Sequence, residues 1–294
     1  MDSIRRPAVA GTFYHGDPYS LRAEIQECFT HALGPGAIPA VDPQGPRRLC
    51  GLVCPHAGLQ YSGAAAAWSY AELARDGVPD VIVMLGPNHT GIGQAVAVSG
   101  ADAWNTPLGD VPVDAQLRGQ VLADFPSATA DEAAHRFEHS LEVQLPFLQY
   151  LFGAQVPVVP IALRSVSAAA EGSAKALQLD RLAQVIADGL QGRHGVIVAS
   201  TDMTHFEPHD VAARKDRAVL DKALALDAPA MLREVDARQV SMCGALPVAV
   251  MMQAAAGMGA RAAELLSYYT SGDITGDKRE VVGYAAMRVA GEPA

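Results

Sequence analysis

Two histidines close short apolar runs in this chain. His56 ends Leu52-Val53-Cys54-Pro55-His56-Ala57-Gly58, and His89 ends Val81-Ile82-Val83-Met84-Leu85-Gly86-Pro87-Asn88-His89-Thr90. A third run, Val196 to Ser200, leads through Thr201, Asp202, Met203 and Thr204 to His205. Far downstream, Ser241-Met242-Cys243-Gly244 sets a lone thiol at the start of an apolar stretch, where a helix N-terminus would favour the thiolate. Imidazole suits iron, copper and zinc, and two imidazoles with one anionic ligand leave metal positions open for substrate or dioxygen. A Cys243 thiolate as third ligand would tilt affinity toward softer ions such as Cu(I), Zn(II) and Fe(II). Asp202 or Glu142 could instead supply a carboxylate, or orient a ligating histidine from behind.

Each of these residues also has an ordinary reading. One histidine after a strand is commonly a loop residue, and a free cysteine is commonly a small core hydrophobe. His139 and Glu142, placed on the flank of an amphipathic stretch, are expected to face solvent or cap a helix. The recurrence of histidine at three successive strand ends, each beside glycine or aspartate, favours the chemical reading. His15, His31, His135, His194 and His209 lack such a context.

Those ends must be held by something. Runs rich in Val, Ile and Leu that stop at proline or glycine read as strands buried on both faces of a parallel sheet. In such sheets ligands bind beyond the carboxyl ends of the strands. The expected order begins with an extended arm over Arg6–Tyr14, then a helix behind Asp17 and Pro18. A Gly- and Pro-rich loop over 34–47 leads to a strand over Arg48–Cys54. A helix over Ala64–Ala74, with Ser62 as its cap, and strands over Asp80–Gly86 and Gln94–Val98 follow. Residues 99–112 read as irregular, and Asp114 precedes a helix over Val113–Leu122. Leu141, Leu145, Leu148 and Phe152 make one stripe of an amphipathic helix over Glu138–Phe152. Beyond it come a strand over Val156–Leu163, a helix near 174–190, a strand over Gly195–Ala199 and a helical region over about 210–236. An apolar helix after Cys243 and strands near Leu265–Tyr269 and Val281–Met287 complete the order. Strands alternating with helices imply a three-layer αβα sandwich around a mostly parallel or mixed central sheet, with residues 1–294 as a single domain.

Composition narrows the function classes. The 294 residues carry a net charge of −10 and are 50% hydrophobic, with no sustained basic cluster, so neither nucleic acid nor an anionic membrane surface is an expected partner. Met242–Ala260 is uncharged across about one bilayer span, but Pro247, Gln253 and its glycines mark it as a buried core helix. Four cysteines, Cys28, Cys50, Cys54 and Cys243, are too sparse for a disulfide framework, and no signal sequence is evident, so a cytoplasmic protein is expected. No Cys-x-x-Cys pair, P-loop, GxGxxG or Gly-x-Ser-x-Gly stretch is present.

At these residues the chain resembles the Memo family, whose bacterial members are often called AmmeMemoRadiSam system protein B. The resemblance runs almost end to end. It rests on Arg6-Pro-Ala-Val-Ala-Gly-Thr-Phe-Tyr14, Pro55-His-Ala-Gly-Leu-Gln-Tyr-Ser-Gly63 and Leu85-Gly-Pro-Asn-His-Thr90. It continues through Glu138-His-Ser-Leu-Glu-Val-Gln-Leu-Pro-Phe-Leu148, Ser200-Thr-Asp-Met-Thr-His205 and Met242-Cys-Gly244. The resemblance implies a fold like that of the class III extradiol dioxygenases (the LigB type), which are non-haem iron enzymes. It implies metal ligation by His56, His89 and Cys243, the thiol standing where the dioxygenases use a glutamate. It implies that Asp202 and His205 act near that metal as catalytic groups. Leu59, where many relatives carry an aromatic, and Thr204 depart from the pattern in ways that touch pocket shape.

The expected activity is metal-dependent redox chemistry with non-haem iron or copper, zinc being possible, on an unidentified small-molecule substrate. Two alternatives are a dioxygenase opening an aromatic diol, which would need Glu142 at the metal, and a non-enzymatic module that binds a peptide or partner in the same crevice. The family name implies AMMECR1-like and radical SAM companion proteins.

Overall fold

The structure is a computed structural model that describes residues 3–167 and 169–291. After a short strand β1 (Ile4–Arg5), helix α1 (Pro18–Thr30) starts where Asp17 accepts from the Ser20 N–H and Pro18 occupies the first turn. Strand β2 (Leu49–Cys54) leads into α2 (Leu59–Asp76), and β3 (Val81–Pro87) follows. Three short strands come next: β4 (Val96–Val98), β5 (Ala103–Thr106) and β6 (Gly109–Pro112). Helix α3 (Ala115–Asp124), capped by Asp114, precedes β7 (Thr129–Ala130), a 3-10 turn over Glu142–Gln144 and α4 (Leu145–Phe152). Strand β8 (Val158–Leu163), helices α5 (Ala170–Ala176) and α6 (Leu179–Gly189), and strands β9 (Gly195–Ser200) and β10 (His205–Glu207) follow. The chain ends through α7 (His209–Leu224), α8 (Ala228–Arg238), α9 (Ala245–Gly257), β11 (Ala260–Thr270), α10 (Ser271–Thr275) and β12 (Val281–Gly291).

A nine-stranded mixed sheet runs in the order β10-β12-β2-β9-β3-β8-β4-β7, and β11 also pairs with β12. Its centre, β2-β9-β3-β8, is parallel, while β12 and β4 flank it antiparallel. The central strands are buried along their whole length, as their unbroken apolar runs require. Alternate residues serve opposite layers. Val53, Val81, Val83, Leu85 and Ile197 pack with α3 and α6 to α9, while Leu52, Ile82, Met84 and Val198 pack with α1, α2 and α4. Each fully buried side chain of this kind contributes about 1.5–3 kcal/mol. The expected three-layer α/β sandwich is therefore what the chain forms, and no helix among the described residues is long and apolar enough to cross a membrane.

Some expected elements differ. The helix after His56 starts at Leu59 rather than at Ala64. Ser62 lies inside it and donates to the Ala57 carbonyl, while Gly58 holds the cap position. Residues 99–112 are not irregular: β5 and β6 form a hairpin whose β5 pairs with β1, which ties the amino terminus down. The helical regions near 174–190 and 210–236 each divide in two, at Gln178 and at Leu226–Asp227. Gln178 and Leu226 take positive φ, which no α-helix passes through.

Candidate metal centre

Because β2, β9 and β3 are parallel neighbours, their carboxyl ends emerge at one edge with β9 in the middle. Pro55 and Pro87 help end β2 and β3, since proline donates nothing to a ladder. His56 follows at once, its backbone N–H donating to Asp202 Oδ1 at 2.9 Å. His89 sits on a turn built by Asn88, whose Oδ1 accepts from Thr90 and from the Gly91 N–H.

The two rings meet, with centroids 5.2 Å apart. His139 joins them, 5.5 Å from His56 and stacked on His89 at 4.7 Å. One ligating nitrogen from each of His56, His89 and His139 lies within 4.8 Å of the others. Nitrogens bound to one ion at about 2.0–2.1 Å lie roughly 4 Å apart or closer, so small side-chain shifts would let the cluster hold a metal ion.

His139 is the residue of this cluster that the sequence pattern assigns to a solvated face or a helix cap. The leucine stripe suggested one helix from Glu138, but α4 begins only at Leu145, with Pro146 in its first turn. A proline inside a helical pattern usually marks that first turn, and here it was the available signal. Residues 138–141 turn back toward the sheet edge instead. Phe13 from the amino-terminal arm packs on the outer side of His139, with ring centroids 4.7 Å apart.

Cys243 is not part of the three-imidazole group but stands beside it, with Sγ 3.3 Å from His56 Nε2 and 3.2 Å from the Asp202 backbone N–H. Gly244 makes that approach possible: a Cβ there would lie 2.3 Å from the Ser200 carbonyl oxygen and 2.4 Å from Thr201 Cβ. Asp202 is buried, and its carboxylate meets the His56 backbone rather than an imidazole ring. His205 lies at the start of β10, its Nδ1 2.9 Å from the Ser241 carbonyl, which leaves Nε2 as the basic nitrogen. Phe206, next in the chain, is exposed with φ +57°, a strained conformation for an aromatic residue.

Glu142 does not reach the site. It is fully buried and spent on other partners: the Arg5 guanidinium, the Tyr14 hydroxyl at 2.6 Å, and the backbone N–H groups of Ala8 and Val9 at 2.7 and 3.0 Å. The carboxylate at the cluster is Glu138, which accepts from the His89 backbone at 2.5 Å and lies 2.9 Å from His89 Nδ1.

Charge states suit ligation. Burial, reinforced by His89 and His139, pushes the His56 imidazole well below its usual pKa, and burial lowers His139 too, so both imidazoles are neutral near neutral pH. Burial alone would raise Glu138, but the hydrogen bonds from His89 and Ser140 outweigh it and hold the carboxyl at about 2. Burial raises Asp202 to about 6. Burial and the Asp202 charge push the Cys243 thiol far up, so without a cation it is protonated.

Comparison with known proteins gives one consistent family signal. A family model described as Memo-like protein matches residues 5–288. "MEMO1 family protein MK0963" of Methanopyrus kandleri is 46% identical over 283 residues, covering 96% of this chain and 98% of that protein. A "MEMO1 family protein" of Ignicoccus hospitalis is 45% identical over 292 residues, covering 97% and 98%. "MEMO1 family protein MTH_45" of Methanothermobacter thermautotrophicus is 43% identical over 287 residues, covering 97% and 99%. Among solved structures, an uncharacterized protein of Escherichia coli K12, JW3007, superposes with a TM-score of 0.55 at 14% identity, covering 82% of this chain and all of that one. That likeness concerns fold alone.

Proposed function

The chain belongs to the Memo family, and from that premise we propose that the histidine cluster is the metal centre of a cytoplasmic redox protein. The observation that carries the proposal is the convergence of His56, His89 and His139 on one point at a sheet edge. Two of these rings, His56 and His89, are the imidazole ligands. The third ligand is Cys243, whose sulfur is already 3.3 Å from His56 Nε2; a cation there overcomes the cost of ionising a buried thiol. His139 then stacks against His89 and closes the site on the Phe13 side.

When bound, an iron or copper ion supplies a centre that changes oxidation state and takes a small molecule at positions the protein leaves open. The protein's own groups do the rest. His205 offers a basic Nε2 because its Nδ1 is turned to the Ser241 carbonyl, so it takes up or returns a proton at that atom. Asp202 holds the His56 backbone with its carboxylate and the Cys243 sulfur with its N–H, fixing both ligands from one loop. A ring-opening dioxygenase with a carboxylate ligand finds no support, because Glu142 is committed to Arg5 and the arm.

Anaerobic Co(II) loading tests the ligand set. Wild type is expected to show a sulfur-to-cobalt charge-transfer band that Cys243→Ser lacks and His139→Ala keeps. A band that survives in Cys243→Ser removes the thiolate from the site.

A further inference from the structure

An imidazole can ligate only through the nitrogen that carries no proton, so a two-histidine centre works only if both rings hold the right tautomer. The hydrogen bonds around His56 and His89 decide both.

At His89 the neighbour is Glu138. A carboxylate accepts and never donates, so the 2.9 Å contact between Glu138 Oε1 and His89 Nδ1 puts the proton on Nδ1. The carboxylate is itself pinned by the N–H groups of His89, His139 and Ser140, at 2.5, 2.8 and 2.9 Å. His139 Nδ1 lies 3.5 Å from the same oxygen, too far to be fixed in the same way.

At His56 the neighbour is Ser200, 2.8 Å from Nδ1, and a hydroxyl could donate or accept. The surroundings remove that freedom. The single Ser200 hydroxyl proton goes to the Ser140 carbonyl at 2.7 Å, which can only accept. Gln144 Nε2 donates one proton to the Pro55 carbonyl at 3.0 Å and the other to Ser200 Oγ at 2.8 Å. Its amide cannot be flipped, because a flip would set Oε1 against the Pro55 carbonyl, which can only accept; in the orientation that remains, Tyr70 donates to Gln144 Oε1 at 2.8 Å. Ser200 Oγ has no proton left for His56, so His56 must donate from Nδ1. All of these groups are buried.

We propose that Glu138 and Ser200 are positioning residues that lock His89 and His56 as Nδ1–H tautomers and so leave Nε2 of both rings free to ligate. Ser200 is held to that task by Gln144, Tyr70 and the Ser140 carbonyl. The proposal rests on the metal reading above for its purpose, but not for its chemistry, which is a property of the metal-free protein. The carboxylate also enters ligation electrostatically, since a hydrogen-bonded acceptor raises the basicity of the far nitrogen.

Long-range nitrogen–proton NMR on the histidine-labelled, metal-free chain above neutral pH reads each tautomer directly. His56 and His89 are expected to be protonated on Nδ1; either ring protonated on Nε2 overturns the proposal. Glu138→Ala is expected to release the His89 tautomer and weaken Co(II) binding about 10- to 100-fold, with Glu138→Gln, which keeps an acceptor for Nδ1, recovering part of it. Ser200→Ala is expected to do the same at His56 alone, and a purely structural role would not move one ring without the other. Unchanged tautomers and affinity in folded Glu138→Ala contradict the proposal. Nδ1 protons on both rings in a wild type that binds no Co(II) support the tautomer assignment and overturn the metal reading.

Discussion

Cys243 and His139 compete for one role, and the residues around them decide it. Cys243 is held by the Asp202 N–H and touches His56, whereas His139 is only stacked. Cys243→Ser is expected to cost metal affinity by 10-fold or more, about 1.4 kcal/mol at the least, and His139→Ala much less; titration calorimetry with Co(II) ranks the two. His135 carries a different prediction. Its ring is buried against Trp104, its Nε2 bonds the Ala97 carbonyl and its Nδ1 has no partner among the described residues. Burial lowers its pKa from 6.5 to about 4 against the opposing pull of Glu132. Folding thus favours neutral His135, and its contribution is complete above about pH 6.5. As pH falls from there toward 4 the unfolded chain takes up the proton first, and on the order of 3 kcal/mol is lost. His56 and His139 act in the same direction. Urea midpoints measured between about pH 7 and pH 5 are therefore expected to fall, with a shallower slope in His135→Asn.

The elements that frame the site hang on two close fits. The amino-terminal arm is fastened by Glu142 to Arg5, Tyr14, Ala8 and Val9, and Arg5 also lies 4.4 Å over the Trp104 ring. Glu142→Ala leaves the Arg5 charge buried without its partner and is expected to cost about 3–5 kcal/mol, read by urea unfolding, with faster proteolysis of the arm. The start of α9 is fastened at Gly244, where any side chain would strike Ser200 and Thr201. Gly244→Ala is expected to destabilise by about 1–3 kcal/mol and to abolish the cobalt–sulfur band by moving Cys243 away from His56. What the sequence made legible follows the same division. His56, His89 and His205 were readable because strand ends in a parallel sheet have a fixed direction, and Cys243 because it precedes an uninterrupted apolar run. His139 and Glu138 were not, because the leucine stripe continues past the true start of α4. The roles of Glu142 and of the β5–β6 hairpin lie in contacts of high sequence separation that no local pattern encodes.

At the scale of the molecule, the sheet order explains why a site assembled from residues 56, 89, 139 and 243 can be rigid. β9 lies between β2 and β3, and the Ser200–Asp202 loop that leaves it holds two of these residues at once: Ser200 meets the His56 ring, and Asp202 meets the His56 backbone and the Cys243 sulfur. A metal bound there links elements from both helical layers, so binding is expected to stabilise the whole fold. At a ligand concentration 100 times Kd the gain is about 2.7 kcal/mol, several degrees in Tm. The central claim is that this cluster binds one ion through His56 and His89, and anaerobic calorimetric titration of Fe(II) into wild type and into the His56→Ala, His89→Ala double variant tests it most directly. Saturable binding of a single ion by the wild type, absent from a folded double variant, is the predicted result; equal binding by both, or none by the wild type, contradicts it.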